Sequence, residues 1–362
     1  MQILKKTQQQ SILLFLSILL ANSNVRAGLF EIPAENRDYG SLPESLHDEA
    51  DLLFDALEDK INSDLPSTTN AGKYVKNVSN ASVLSGTGSG TDYASPFSLG
   101  LLGFQSSVGV DLGDTKLSKI SEEPERTGGF APQFAITAGL NLEALKLATL
   151  GAIDLNKVKV YLHYFKKTFK QDELSLEAKS WGLHAQYKYI DPVSLARLVR
   201  WHGIDFTTGY RYNSIEGGTD IALSKNSVKN IDGFGETTLS FSGLADINLD
   251  IATHTIPLEV SSAIRVLYSI FAYGGAGADV SFGKSRASGS LSNSSVTASG
   301  GAGTISATGT LDIAETKKPQ LASLKYFVGG GVEMGVLSVY AQWHQSLTND
   351  TLGFALGVKG FW

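Results

Sequence analysis

The sequence predicts an all-β protein, a closed antiparallel transmembrane β-barrel of about ten strands within a range of about eight to twelve. Three observations predict it. Apolar and polar residues alternate with period two in segments as long as a tilted strand needs to cross a bilayer. Aromatic residues gather near the ends of those segments on the apolar parity, where a membrane–water interface selects amphipathic rings. The C-terminal stretch TLGFALGVKGFW stops in mid-alternation, with Leu352, Phe354, Leu356, Val358 and Trp362 on the apolar parity.

The N-terminus predicts export. Lys5 and Lys6 precede an apolar run from Ile12 to Ala21, and Val25-Arg26-Ala27 supplies a cleavage position, so residues 1–27 read as a cleaved signal peptide. The run is shorter than the roughly 20 residues of a spanning helix. With no cysteine in the chain, neither a lipid-modified N-terminus nor a disulfide framework is available. Glycine is abundant at 38 residues, yet mean hydropathy is −0.01, and no later stretch is apolar for long enough to form a spanning helix. The net charge of −6 is spread without a basic block, which argues against a nucleic-acid partner.

Residues 28–96 differ in kind from the rest of the chain. Leu46, Ala50, Leu53, Phe54, Leu57 and Ile61 form a helical stripe on an acidic segment that Pro66 stops. A polar stretch then leads to GTGSGTDYASPF. This section either packs beneath the barrel on the periplasmic side or fills its lumen as a plug. Small residues on the polar parity, including Gly109, Gly139, Gly209, Gly275, Gly329 and Gly353, leave room for the second arrangement.

Residues 97–362 supply the barrel. Its strands are read around Phe104–Leu112, Phe134–Leu140, Val158–Tyr164, Trp181–Tyr189, Ile204–Tyr212, Leu239–Leu249, Tyr268–Phe282, Leu324–Met334, Leu337–Trp343 and the C-terminal segment. In a membrane barrel the apolar parity meets lipid and the polar parity lines the lumen. The expected lumen residues are Lys159, His163, His184, Lys188, Asp205, Arg211, Asp246, Asp250, Lys325, Glu333 and Lys359, a lining of mixed sign. In a soluble sandwich the same charges would simply meet water.

Connections take sides once the C-terminus is placed in the periplasm. Segments 216–233 and 283–319 become long outer loops. The second is Ser/Gly/Thr-rich, which predicts a flexible loop or a projecting strand pair, with flexibility the simpler expectation. On the inner side, EALKLATLGAIDLNK, DPVSLARLVRWHG and THTIPLEVSSAIRVL are amphipathic enough to predict short periplasmic helices.

Motifs for chemistry are weak. GTGSGTD has phosphate-loop glycine spacing, but no strand precedes it and no Lys-Ser/Thr pair comes after it. The six histidines show no metal-ligand spacing. No catalytic residue, metal or cofactor is assigned, and an enzyme is not the expectation. The stretches KYVKNVSNASVLSGTGSGTDYASPF, GLNLEAL with DLNKVKVYLHYF, and HTIPLEVSSAIRVLYSIFAYGGAGADVSFG resemble the leptospiral surface-adhesin-like barrels. The final aromatic is similar to the C-terminal signature of bacterial outer-membrane barrels, with Trp362 where Phe is common. These resemblances imply integral residence in the outer membrane of a Gram-negative-type envelope and contact with its lipid. They also imply recognition of the last strand by the barrel-assembly machinery, and binding of extracellular macromolecules through outer loops. The competing expectation is a porin-like protein, a narrow or gated pore for small polar solutes.

Overall fold

The computed structural model describes residues 30–362 except 41–43, 45, 46, 49, 53, 56–67, 95–98, 114–127, 147, 148, 150–152, 172, 173, 232–234, 268, 301, 302 and 309. The expected signal peptide lies outside the described residues, as does most of the predicted acidic helix. The residues of that helix which are described, among them Ala50 and Phe54, are helical, and these two are fully buried.

Ten strands form the barrel: β1 (Gly100–Asp111), β2 (Gly129–Asn141), β3 (Val158–Gln171), β4 (Leu174–Ile190), β5 (Val199–Ile231), β6 (Gly235–Val266), β7 (Ile270–Gly300), β8 (Ala322–Met334), β9 (Leu337–Ser346) and β10 (Thr351–Phe361). Each pairs antiparallel with its sequence neighbours, and β10 pairs with β1 from Thr351↔Asp111 to Phe361↔Leu101, so the sheet closes without a free edge. We call the mouth with Gly100 and Phe361 the near end and the mouth with Asp111 and Thr351 the far end.

Burial is inverted relative to a water-soluble protein. Leu102, Ile136, Leu162, Leu183, Leu258, Leu324, Val328 and Leu356 are each more than half exposed on the outside. Gln105, Gln133, His163, His184, Arg211, Thr253, Lys325 and Gln342 are buried inside. A continuous apolar exterior of this kind is not left to water.

The lumen is filled. Helix α1 (Thr68–Ser85) enters at the far end, and a turn segment continues its path to Ala94 near the other mouth. Its sequence, rich in Asn, Ser and β-branched residues, is a poor helix former by itself; the wall holds it. Ser82 shares a hydrogen bond with Thr253, Ser85 donates to Gln133, and Asn80 donates to Asp111. Closest approach occurs where the wall has glycine: a Cβ on Gly109 would stand 2.1 Å from the Ala81 carbonyl oxygen.

Two expectations are corrected. The predicted helical collar is absent among the described residues. DPVSLARLVRWHG forms a hairpin, Val193–Ala196 pairing with the start of β5, and only single 3-10 turns, Leu142–Leu145 and Leu155–Lys157, occupy the first connection. THTIPLEVSSAIRVL is the membrane-crossing half of β6, while Leu239–Leu249, read as the crossing, lies beyond the far mouth. The segment's amphipathicity fits a helix as well as a strand, and it contains Pro257, a residue with no N–H that is uncommon in a central strand; the β5–β6 ladder skips it, Thr208 pairing with Leu258 and the next pair being Arg211 with Thr255. The Ser/Gly/Thr-rich segment takes the projecting-strand form, with β7 running to Gly300.

The tight helix–wall contact gives a direct prediction. Gly109→Val should destabilise the folded barrel by about 1–3 kcal/mol, the cost of overpacking. Gly274→Ala, whose Cβ would meet its nearest neighbour at an ordinary 3.4 Å, should be close to neutral. Temperature-dependent loss of the compact, heat-modifiable gel band reads both; equal behaviour of the two variants would contradict the placement of α1.

Candidate functional site

Two assemblies are built on this frame, a sealed lumen and a raised sheet beyond the far mouth. The seal is electrostatic. An α-helix ends in carbonyls without partners and a partial negative charge, and here wall cations and amides meet that end. Arg211 donates from Nη2 to the Val83 carbonyl at 2.8 Å and from Nη1 to the Gly86 carbonyl. Gln105 and Gln342 both donate to the Thr87 carbonyl, each at 3.4 Å. Gly88 and Gly90 have φ of +82° and +74°, left-handed conformations that suit glycine. They also let wall side chains touch the backbone: a Cβ at Gly90 would lie 2.4 Å from His163 Nδ1.

Below this turn the fixed charges pair. Lys325 reaches Glu259 at 2.7 Å and Asp279 at 2.8 Å, and Tyr93 of the plug donates to Glu259 at 2.7 Å. Lys359 bonds the Thr91 carbonyl and Asp92, both at 3.1 Å, and lies 4.2 Å from the Tyr340 ring centroid. At the near mouth Lys188 pairs with Asp205 at 2.7 Å, and Arg265 pairs with Glu333 at 2.6 Å while donating to the Ala94 carbonyl. Lys159 is on the same inward parity, beside Tyr161 and His163. His163 and His184 stack at 5.4 Å, and their ring nitrogens have no hydrogen-bond partner among the described residues. A void beside the helix, lined by Ser82, Ser85, Gln133, Ser180 and Asn213, is water-sized.

Nine of the expected lumen residues therefore face the interior: Lys159, His163, His184, Lys188, Asp205, Arg211, Lys325, Glu333 and Lys359. Asp246 and Asp250 do not. They occupy the outer face of β6 beyond the far mouth, Asp250 opposite Glu216 and Arg286. Reading Leu249 as lipid-facing places them inside; Leu249 instead points inward with Ile251 and packs over Tyr74 and Val78 of α1. Sequence reasoning missed Asp92, Glu259 and Asp279, the carboxylates that complete the ion pairs. Glu259 and Asp279 lay in segments read as a helix and as an unremarkable strand position.

The second assembly is the raised sheet. β5, β6 and β7 contain 33, 32 and 31 residues, against 10 to 17 in the other barrel strands. Their pairing continues to Ile231↔Gly235 and Ser299↔Thr238, so the ribbon extends about 55 Å past Ser214 at the usual rise of about 3.3 Å per residue. Strands Gly303–Ala307 and Thr310–Lys317 fold back on β7, and the N-terminal segment adds to them, Phe30↔Leu311 and Arg37↔Ala307. Arg37 ties this edge to the N-terminal helix through Asp51 and Asp55, both at 2.8 Å, and Tyr39 donates to Asp51 at 2.7 Å. The bonds from Arg37 and Tyr39 hold the Asp51 carboxyl below the usual carboxylate range. Its contribution is thus complete above the ordinary aspartate pKa and fades as pH falls through the depressed value. The described residues from Phe30 to Asp55 accordingly belong to the far end.

The Lsa36-like family model matches residues 29–362, and the chain belongs to that family. No curated protein matches it in sequence. Solved structures similar to it are the attachment invasion locus protein Ail of Yersinia pestis in complex with a heparin analogue (10% identity, TM-score 0.22, 73% of this chain and 99% of that one) and the translocator domain of the autotransporter NalP from Neisseria meningitidis (10%, 0.26, 91% and 100%). The transport unit of the autotransporter AIDA-I from Escherichia coli is similar at 11% identity and TM-score 0.29, over 81% of this chain and 99% of that one. At such TM-scores they add nothing to the architecture described above.

The Lys325 cluster generates a second prediction. Lys325→Met leaves Glu259 and Asp279 buried without their cation and should cost about 3–5 kcal/mol. Neutralising both carboxylates as well, with Glu259→Gln and Asp279→Asn, should recover much of that loss. Urea or guanidinium unfolding in detergent micelles compares the two, and an undiminished wild-type midpoint for Lys325→Met would contradict the pairing.

Proposed function

We propose that this member of the Lsa36-like family is an outer-membrane surface protein whose plugged barrel carries a raised sheet for binding extracellular macromolecules. The observation that supports it most is the asymmetry of the wall: three consecutive strands continue far past one mouth and recruit the N-terminal segment there, while the near end has shorter connections, down to the tight turn at Gly335. A long sheet held by a rigid barrel offers a broad binding surface on a fixed base. In this reading the far end is outside, with Trp362 and the near mouth in the periplasm. The outward apolar band suits lipid, and the last strand, β10, suits the barrel-assembly machinery.

A solute pore is the weaker reading, because the interior from Tyr74 to Ala94 is occupied by backbone whose carbonyls and side chains the wall holds directly. Lys325 engages the interior carboxylates Glu259 and Asp279, and Lys359 engages Asp92, so this reading gives these three a structural role.

Shortening the β5–β6 and β6–β7 extensions, by replacing residues 219–247 and 289–313 with tight turns, should abolish adhesion of expressing cells to immobilised host-tissue extracts while leaving the heat-modifiable band intact. Planar-bilayer recording of the full chain should show negligible steady conductance, rising when residues 72–94 are deleted. Steady conductance of the intact protein together with unaffected adhesion of the shortened form would reverse the assignment in favour of a pore.

A further inference from the structure

The outer wall carries an ordered charge pattern at the far edge of its apolar band. Strand register aligns one residue from each of β3 to β7 in successive rows. The lowest row is aromatic: Tyr164, Trp181, Tyr212, His254 and Phe282 stand directly opposite one another in sequence around the wall. Trp181 lies 5.2 Å from Tyr210 and 6.3 Å from Tyr212, and His254 stacks on Phe282 at 5.0 Å and 3°. Two residues further out the row reads Lys166, Lys179, Ser214, Ala252 and Lys284. The next reads Thr168, Glu177, Glu216, Asp250 and Arg286.

On β4 the aromatic positions Trp181 and Tyr189 are eight residues apart. That is about 27 Å along the strand, or about 20 Å along the axis at a tilt of roughly 40°, close to the height of a barrel's hydrocarbon band. The lysine row therefore falls at headgroup depth. Lys166 and Lys179 are directly opposed, an arrangement that destabilises a sheet unless negative charge is supplied. Glu177 reaches Lys166 at 2.9 Å, whereas Lys179 has only the Tyr212 ring at 5.8 Å, and among the described residues neither Lys179 nor Lys284 forms an ion pair. Between these cations lie the small Ser214 and Ala252, so the row is a shallow shelf bounded by rings on the lipid side and by Glu177, Glu216 and Asp250 on the water side. An anion seated on the shelf is held at one depth: carboxylates repel it from above and hydrocarbon excludes it below.

We infer that this shelf binds the phosphate monoester of a phosphorylated glycolipid in the surrounding leaflet. A monoester carries roughly −1.5 to −2 charge with three acceptor oxygens, which answers two adjoining lysines; a phosphodiester carries a single charge and answers them less well. The inference rests on the membrane-spanning reading given above, and its test separates the two. The full-length barrel in a neutral detergent is titrated with diphosphoryl lipid A, with the same lipid after phosphatase treatment, and with phosphatidylglycerol, and bound lipid is counted by native mass spectrometry.

The expected result is retention of the phosphorylated lipid in preference to the other two, weakened at least tenfold by K166Q/K179Q/K284Q and unchanged by Lys157→Gln. Lys157 is a cation near the other mouth, paired with Asp191 at 2.7 Å. The heat-modifiable band confirms that each variant is folded. Equal retention of all three lipids, or undiminished retention by the triple variant, overturns the shelf while the membrane barrel stands. A chain that stays at the bottom of a liposome flotation gradient, bound to no bilayer, overturns both.

Discussion

The structure depends on one electrostatic constraint: the carbonyl end of a helix standing inside a cylinder must be satisfied by the cylinder. Water would otherwise have to do this, and a closed lumen of ten strands with a helix in it leaves little room for water. Arg211, Gln105, Gln342 and Lys359 meet the Val83, Gly86, Thr87 and Thr91 carbonyls directly. The interior carboxylates are drawn into the same network, Lys325 serving both Glu259 and Asp279 while Lys359 also pairs with Asp92. Buried pairs of this kind are poor sources of net stability, but removing one partner of a pair is costly. The contacts that reach the plug, Lys359 with Asp92 and Tyr93 with Glu259, hold it at one height.

Much of the wall was legible because a strand in a barrel exposes each side chain to only one of two solvents. Leu162 and Tyr164 against Tyr161 and His163 is a pattern that period-two alternation cannot hide, and ten strands, the closure of β10 on β1, and nine of the lumen residues derive from it. What failed did so for local reasons. The crossing part of β6 reads as an amphipathic helix, and taking Leu239–Leu249 for the crossing instead places Asp246 and Asp250 inside. Leu195 and Leu198 looked like one face of a helix, whereas they belong to a hairpin with exposed apolar side chains.

Helix α1 was illegible for a different reason. Its run from Lys73 to Ser85 is dominated by Ser, Asn and Val, weak helix formers, with only Tyr74, Val78 and Ala81 meeting an apolar cluster, because most of its surroundings are the polar inside of a barrel. Small hydroxyl and amide side chains are what such a cavity accepts: Ser79 bonds Ser285, Ser82 bonds Thr253, Asn80 bonds Asp111. The glycine-rich turn after it, which shares its spacing with phosphate loops, takes its glycines from crowding by Arg211, Gln342 and His163. A local motif search sees the same letters and has no access to that crowding.

The path of the chain has a consequence for biogenesis. Residues 30–38 are stitched to strands beyond one mouth, and Leu99 leaves from the other, bonded to Trp362. The polypeptide is therefore a bolt with a head, threaded through a ring made from its own later residues. A folded head cannot slip through a bore that one helix fills, and neither end can be drawn back without unpicking strand pairs. The ring has to be wrapped around the shaft, and its last seam, between the first and final strands, cannot zip until the shaft is in place.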